Sequence, residues 1–178
     1  RVAIIPARVG SKRIPKKNIN YFFGKPMLAW SIEAAIKSGC FDQIICSTDD
    51  DEIACIANEY GAETPFIRPK YLSDDHTSTI PVISHAIEHL QRNGDKIDLA
   101  CCIYATAPFI QPNDLQNSLE TMQKNDLDFC FSVTSYPFPI QRSIRLTSNK
   151  RCIMLQPEMF QKSSQDFVIK DTAFTTVT

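Results

Sequence analysis

Val2-Ala3-Ile4-Ile5-Pro6-Ala7, running without a break into Arg8-Val9-Gly10-Ser11-Lys12-Arg13-Ile14-Pro15-Lys16-Lys17-Asn18, is the stretch that decides the fold. Six apolar residues are too few for a membrane span and suit a strand covered on both faces. The run stops abruptly at a loop holding five cations, one glycine, one serine and one asparagine. Glycine lets backbone N–H groups come close to a polyphosphate, and Arg and Lys add charge-assisted hydrogen bonds. A solvated basic loop would show the same composition, but its place at the end of the first strand favours an anion site. The spacing matches neither G-x-x-x-x-G-K-[ST] nor G-x-G-x-x-G, so a kinase-type phosphate loop and a dinucleotide fingerprint are unsupported.

Working outward, the chain alternates strand and helix. A helix follows Gly24-Lys25, with Pro26 in its first turn, Leu28, Ile32, Ala35 and Ile36 on one face, and Gly39 ending it. Gln43 to Thr48 reads as a second buried strand. Asp49, Asp50 and Asp51 then open a helix carrying Ile53, Ile56, Ala57 and Tyr60, and the three acids read as caps and dipole partners rather than metal ligands. A weak strand is predicted near Glu63 to Ile67, a helix from about Ser78 to Leu90, and a strand over Leu99 to Tyr104. A helix from Pro112 to Met122 and a strand over Asp128 to Val133 follow. Such alternation implies an α/β fold, a mostly parallel sheet with helices on both faces. Ligands of these sheets bind beyond the carboxyl ends of the strands, so Arg8 to Asn18, Thr48 to Asp51 and Ala105 to Ile110 should meet at one crevice.

The chain of 178 residues is 43% apolar and 22% charged, enough for one domain with a core. Its formal charge of −1 provides no general field for nucleic acid or membrane. Seven cysteines without C-x-x-C spacing read as small buried hydrophobes of a reducing cytosol, which places the protein in the cytoplasm. After Ser135 the pattern weakens, and 1–178 is read as a single domain incomplete at its C-terminal end.

His85-Ala86-Ile87-Glu88-His89 matches the H-x-x-E-H order of one zinc peptidase group. A helical projection gathers Ile80, Ile83, Ile87 and Leu90 on one side and turns both histidines to solvent, with no third ligand in sight. Trp30 is expected to pack in the core, and Tyr21 to Phe23 to fix the loop against the domain.

The string A-R-x-G-S-K-R-I-x-x-K-N with Gly24-Lys25-Pro26-Met27-Leu28 resembles the opening of the CMP-sugar synthetases that activate sialic acid, its bacterial relatives and 3-deoxy-octulosonate. Ser47-Thr48-Asp49-Asp50, Arg68-Pro69, Leu72-Ser73-Asp74-Asp75, Ser78 and Thr79 continue the resemblance to about Val133. Where sialic acid members carry Q-P-T-S-P, this chain has Tyr104-Ala105-Thr106-Ala107-Pro108-Phe109, which resembles the pseudaminic acid branch, as does Ser164-Gln165-Asp166.

The resemblance implies a three-layer, Rossmann-like nucleotide-diphospho-sugar transferase fold. It implies transfer of CMP from CTP to an acidic nine-carbon sugar, with Mg2+ as cofactor and pyrophosphate released. Arg8, Lys12 and Lys17 would be catalytic. Arg8, Gly10, Ser11, Lys12, Asn18, Arg68, Thr79 and Thr106 would bind the nucleotide. Gln141, Arg142 and Arg145 are candidate clamps for the sugar carboxylate, equally compatible with an exposed or interface position. The segment 136–160 would serve a homodimer.

The family's late Asp-x-Asp metal motif has no counterpart after Asp128, and Asp126 with Asp128 come too early to match it. The metal ligands and the catalytic base stay unassigned. Two alternatives stay open: a synthetase for sialic or legionaminic acid, and a nucleotide-binding protein or fragment without catalysis.

Overall fold

A computed structural model describes residues 1–11, 14–135, 143–159 and 174–176. Within it, strand β1 (Val2–Pro6) leads through the basic loop to a hairpin of β2 (Tyr21–Phe22) and β3 (Lys25–Pro26). Next come helix α1 (Met27–Ser38), β4 (Gln43–Ser47), helix α2 (Asp51–Glu59), helix α3 (Thr79–Arg92), β5 (Ala100–Cys102) and helix α4 (Pro112–Asn125). The central sheet has the order β4-β1-β5, and every pairing is parallel.

Alternation along β1 divides the core. Ala3, Ile5 and Ala7 pack with Leu28, Ile32 and Ala35 of α1, Ile53 and Ala57 of α2 and Leu115 of α4. Val2 and Ile4 face the other way, onto Ala86 and Leu90 of α3 together with Ile45. Helices therefore cover both faces of a parallel sheet, three layers in all. Each fully buried isoleucine contributes roughly 1.5–3 kcal/mol of transfer free energy.

Several expectations are corrected in detail. Ile36 of α1 is exposed, and the buried side runs instead through Leu28, Ala29, Ser31, Ile32, Ala35 and Ser38. The weak strand at 63–67 is reduced to two parallel bridges, Ile45 to Glu63 and Thr48 to Ile67. Pro65 lies between them without an N–H for the ladder. On α3 the buried stripe is Val82, Ala86 and Leu90, whereas Ile80 is exposed. That rotation brings His85 and His89 onto Phe66, with ring centroids 4.9 and 4.8 Å away, rather than into solvent. The expected strand over 128–133 is absent up to Phe131, because Phe129 and Phe131 are exposed and have no apolar face to bury. Of the seven cysteines only Cys40 and Cys46 are buried, while Cys55, Cys102, Cys130 and Cys152 are exposed.

The chain forms two compact units, Arg1–Cys130 and Phe131–Val177. Within the second, β6 (Val133–Ser135) pairs antiparallel with β9 (Phe174–Thr176), and β7 (Ile144–Leu146) pairs antiparallel with β8 (Cys152–Met154). Arg145 lies on β7 and is exposed. Lys12, Gln141 and Arg142 fall outside the described residues.

Candidate active site

The basic loop is held open by specific bonds rather than by its glycine. Asn18 is buried, and its Nδ2 donates to the Arg8 carbonyl at 2.8 Å. The Val9 N–H donates to Asp49 Oδ1 at 2.9 Å. Gly10 has no left-handed backbone, and a Cβ added there would meet the Arg8 side chain at 3.7 Å, an ordinary contact. Among the described residues of the loop Lys16 is left-handed, at φ 50°, a conformation that costs an L-residue roughly 1–2 kcal/mol. This turn separates two neighbouring lysines. Lys16 pairs with Glu52 on the surface, whereas the half-buried Lys17 lines a crevice and has no ion-pair partner among the described residues.

The crevice has a volume of about 200 Å3. It opens beyond the carboxyl ends of β1 and β5, between Arg8, Ser11, Lys17 and Asn18 on the loop, Thr77, Ser78 and Thr79 where α3 begins, and Tyr104, Ala105 and Thr106 after β5. Arg68 and Asp74, with the apolar Pro6, Leu72 and Val82, complete its lining. The N-cap Ser78 makes no side-chain cap hydrogen bond and Pro81 has no N–H, so the first-turn donors of α3 are the amides of Thr79 and Ile80. An adjoining hollow of about 460 Å3 shares Arg8, Ser11 and Asp74 with the crevice and includes Gly10.

Arg68 is the most unusual group here. Its side chain is only 3% exposed, yet Nε and Nη2 form no hydrogen bond among the described residues, and the nearest carboxylate oxygen, Asp49 Oδ1, is 3.8 Å from Nη2. Burial pushes the Arg68 pKa down and Asp49 opposes the shift, but a guanidinium keeps its proton in either case. Two buried donors without acceptors cost roughly 1–3 kcal/mol each. A ligand with acceptors at that point would remove the cost.

Arg8, by contrast, is paired: its Nη1 donates to Asp75 Oδ1 at 2.6 Å. Tyr104 and Thr79 meet hydroxyl to hydroxyl at 3.1 Å, and Ser31 Oγ donates to the Tyr104 carbonyl at 2.8 Å.

The description "Cytidylyltransferase" belongs to the family model that matches residues 2–171. The chain belongs to the cytidylyltransferase family. It is 46% identical over 165 residues to the pseudaminic acid cytidylyltransferase of Campylobacter jejuni strain 81-176, covering 93% of this chain and 71% of that protein. It is 31% identical to the CMP-N,N'-diacetyllegionaminic acid synthase of Legionella pneumophila, with 90% and 68% covered. Among solved structures, a CMP:2-keto-3-deoxy-manno-octonic acid synthetase complexed with CTP superposes with a TM-score of 0.63 at 20% identity, covering 99% of this chain and 70% of that one. At that identity the likeness supports the three-layer fold alone.

In this cytidylyltransferase the first unit therefore brings together Arg8, Ser11, Lys17, Asn18, Arg68, Thr79 and Thr106, with Gly10 next to them. The segment Thr48 to Asp51, expected at the crevice, stands behind it. Asp50 caps α2 through the Ile53 N–H, whereas Asp49 ties down the basic loop instead of capping. Sequence reasoning gave no role to Asp75 or Thr77, whose only advance signal was the acidic pair Asp74-Asp75 ahead of a helix.

Among the described residues no three His, Cys, Asp or Glu side chains converge to hold a metal ion. This applies to the H-x-x-E-H helix, to Asp49 to Asp51 and to Asp126, which ends α4 at φ 52°. Burial pushes the Cys46 thiol up to about 12 and that of the half-buried Cys101 up to about 11, so neither supplies a thiolate near neutral pH. No helix among the described residues is long and apolar enough to cross a membrane.

Proposed function

We propose that this cytidylyltransferase joins CMP from CTP to pseudaminic acid and releases pyrophosphate. The observation that carries the nucleotide site is Arg68: a buried guanidinium with two donors unpaired among the described residues, in a crevice that also holds Lys17, which has no ion-pair partner among them. The acceptor sugar rests on the 46% identity to an enzyme named for pseudaminic acid.

In this proposal Arg68 and Thr79 meet the nucleoside, and Arg8, Gly10, Ser11, Lys12, Lys17, Asn18 and Thr106 surround base and phosphates. The sugar's anomeric hydroxyl oxygen forms a bond to the α-phosphorus while the bond to the β-phosphate oxygen breaks. Pyrophosphate leaves with that electron pair, and the hydroxyl proton is released. Such a displacement gains chiefly from alignment and charge neutralisation, which cations fixed in advance provide. Mg2+ would add neutralisation on the triphosphate. The described residues supply no ligand set for it, so the chain's own part is carried by Arg8, Lys12 and Lys17.

Gln141, Arg142 and Arg145 belong to the proposal as carboxylate clamps, 136–160 as the homodimer segment, and the cytoplasm as the compartment.

Pyrophosphate release is the test, measured with CTP and Mg2+ against pseudaminic, legionaminic, N-acetylneuraminic and 3-deoxy-octulosonic acids. Release with pseudaminic acid is expected. Release with another acid alone would move the enzyme to that branch, and silence with all four while CTP still binds would favour a non-catalytic nucleotide-binding protein.

A further inference from the structure

We propose that Asp75 is a positioning residue that holds the Arg8 guanidinium ready for the triphosphate, an inference that rests on the nucleotide reading of the crevice. Three contacts from different parts of the chain fix Arg8 and Val9. Asn18 Nδ2 donates to the Arg8 carbonyl at 2.8 Å, Asp49 Oδ1 accepts from the Val9 N–H at 2.9 Å, and Asp75 Oδ1 accepts from Arg8 Nη1 at 2.6 Å. The first two set where the backbone leaves β1. Only the third sets the direction of the side chain, which is otherwise long, flexible and 36% exposed.

The segment that carries this carboxylate is itself anchored. Asp74 Oδ1 accepts from the His76 N–H at 2.9 Å, the Thr77 N–H at 2.6 Å and Thr77 Oγ1 at 2.7 Å, folding the segment before α3 into a side-chain-stabilised turn. Ser73 Oγ donates to the Pro69 carbonyl at 3.1 Å, and Leu72 is buried beside it. An acceptor on a braced turn therefore meets the long Arg8 side chain. It occupies Nη1 and leaves the other guanidinium N–H groups for phosphate oxygens. Fixing a charged group before the reaction begins is the arrangement that electrostatic catalysis favours.

A carboxylate near a polyphosphate also repels it, and the two effects separate experimentally. Asp75→Asn and Asp75→Ala remove the same charge, but only asparagine keeps an acceptor oxygen for Nη1. Each change is made in the wild-type and the Arg8→Ala background, and kcat, KM for CTP and the calorimetric Kd for CTP are measured. Positioning is expected to leave Asp75→Asn within about threefold of wild type and to lower kcat about tenfold in Asp75→Ala. The two are expected to be equal once Arg8 is alanine, a cycle that separates the Arg8 coupling from the other contacts of Asp75.

Equal behaviour of the two variants beside Arg8, or a difference that survives without Arg8, would overturn the proposal. Asp75 lies on an exposed segment, so truncation leaves the core intact. If no acid were turned over, CTP affinity decides the same question: about fivefold weaker binding in Asp75→Ala than in Asp75→Asn, again only with Arg8 present. The inference would then stand while the proposed reaction fell.

Discussion

Arg8 and Arg68 line the same crevice and are held in opposite ways. Arg8 is over a third exposed and has a carboxylate at 2.6 Å, whereas Arg68 is buried and, among the described residues, has two donors unpaired and its nearest carboxylate at 3.8 Å. An exposed, paired cation costs the fold little and stays available to an incoming anion. A buried, unpaired one lowers stability and is explained by what it awaits. Lys16 and Lys17 repeat the contrast one residue apart: the first is neutralised by Glu52, and the second lines the crevice without an ion-pair partner among the described residues. The proposed function predicts that the cations left without an acceptor respond most strongly to nucleotide.

The strongest way to break this comparison is at the lysines. Lys17→Ala is expected to reduce turnover at least about 100-fold with the fold intact, because only the reacting phosphates need that charge. Lys16→Ala removes an exposed surface pair and should change turnover by no more than about twofold. Equal losses in single-turnover measurements would mean that partnership does not distinguish the two.

A smaller effect sharpens the comparison outside the crevice. His85 Nδ1 is buried without a hydrogen bond, and the His85 pKa is lowered by burial first and by neighbouring His89 second. Glu88 raises it, while Arg92 and Arg68 lower it further. With a folded pKa below the unfolded value of about 6.5, the unfolded chain takes up the proton first. The stabilisation is complete above that value and disappears as pH falls through the folded pKa. The Tm of wild type should fall between about pH 7 and 5, and His85→Phe should flatten the fall. CTP that pairs with Arg68 would remove only the last and smallest of these influences, so the slope should change little on nucleotide binding, and a large change would connect His85 to the crevice.

Much of this was legible in the sequence, for physical reasons. The run Val2 to Ala7 is apolar on both faces and is followed by a cation-rich loop, so the first strand and the placing of that loop at its carboxyl end could be read from local composition. The crevice followed from the rule that parallel sheets bind ligands at their carboxyl ends. Arg68 came through resemblance, since no local pattern announces a buried arginine.

What could not be read depends on distant pairing. Asp75 meets Arg8 across 67 positions, and Tyr104 meets Thr79 across 25. The histidines of α3 were expected in solvent because a helical projection cannot know that Phe66 lies beside them. Asp128 to Val133 alternates like a strand, but alternation requires a covered face, and Phe129 and Phe131 have none.

The most direct test of the central claim is calorimetric titration of CTP into wild type and Arg68→Met, with Tm measured for both proteins without ligand. Methionine fills similar space without donors, so the free variant should be no less stable than wild type, while CTP affinity should fall by about 2–3 kcal/mol, roughly 30- to 150-fold. Unchanged affinity in a folded Arg68→Met protein would contradict the account.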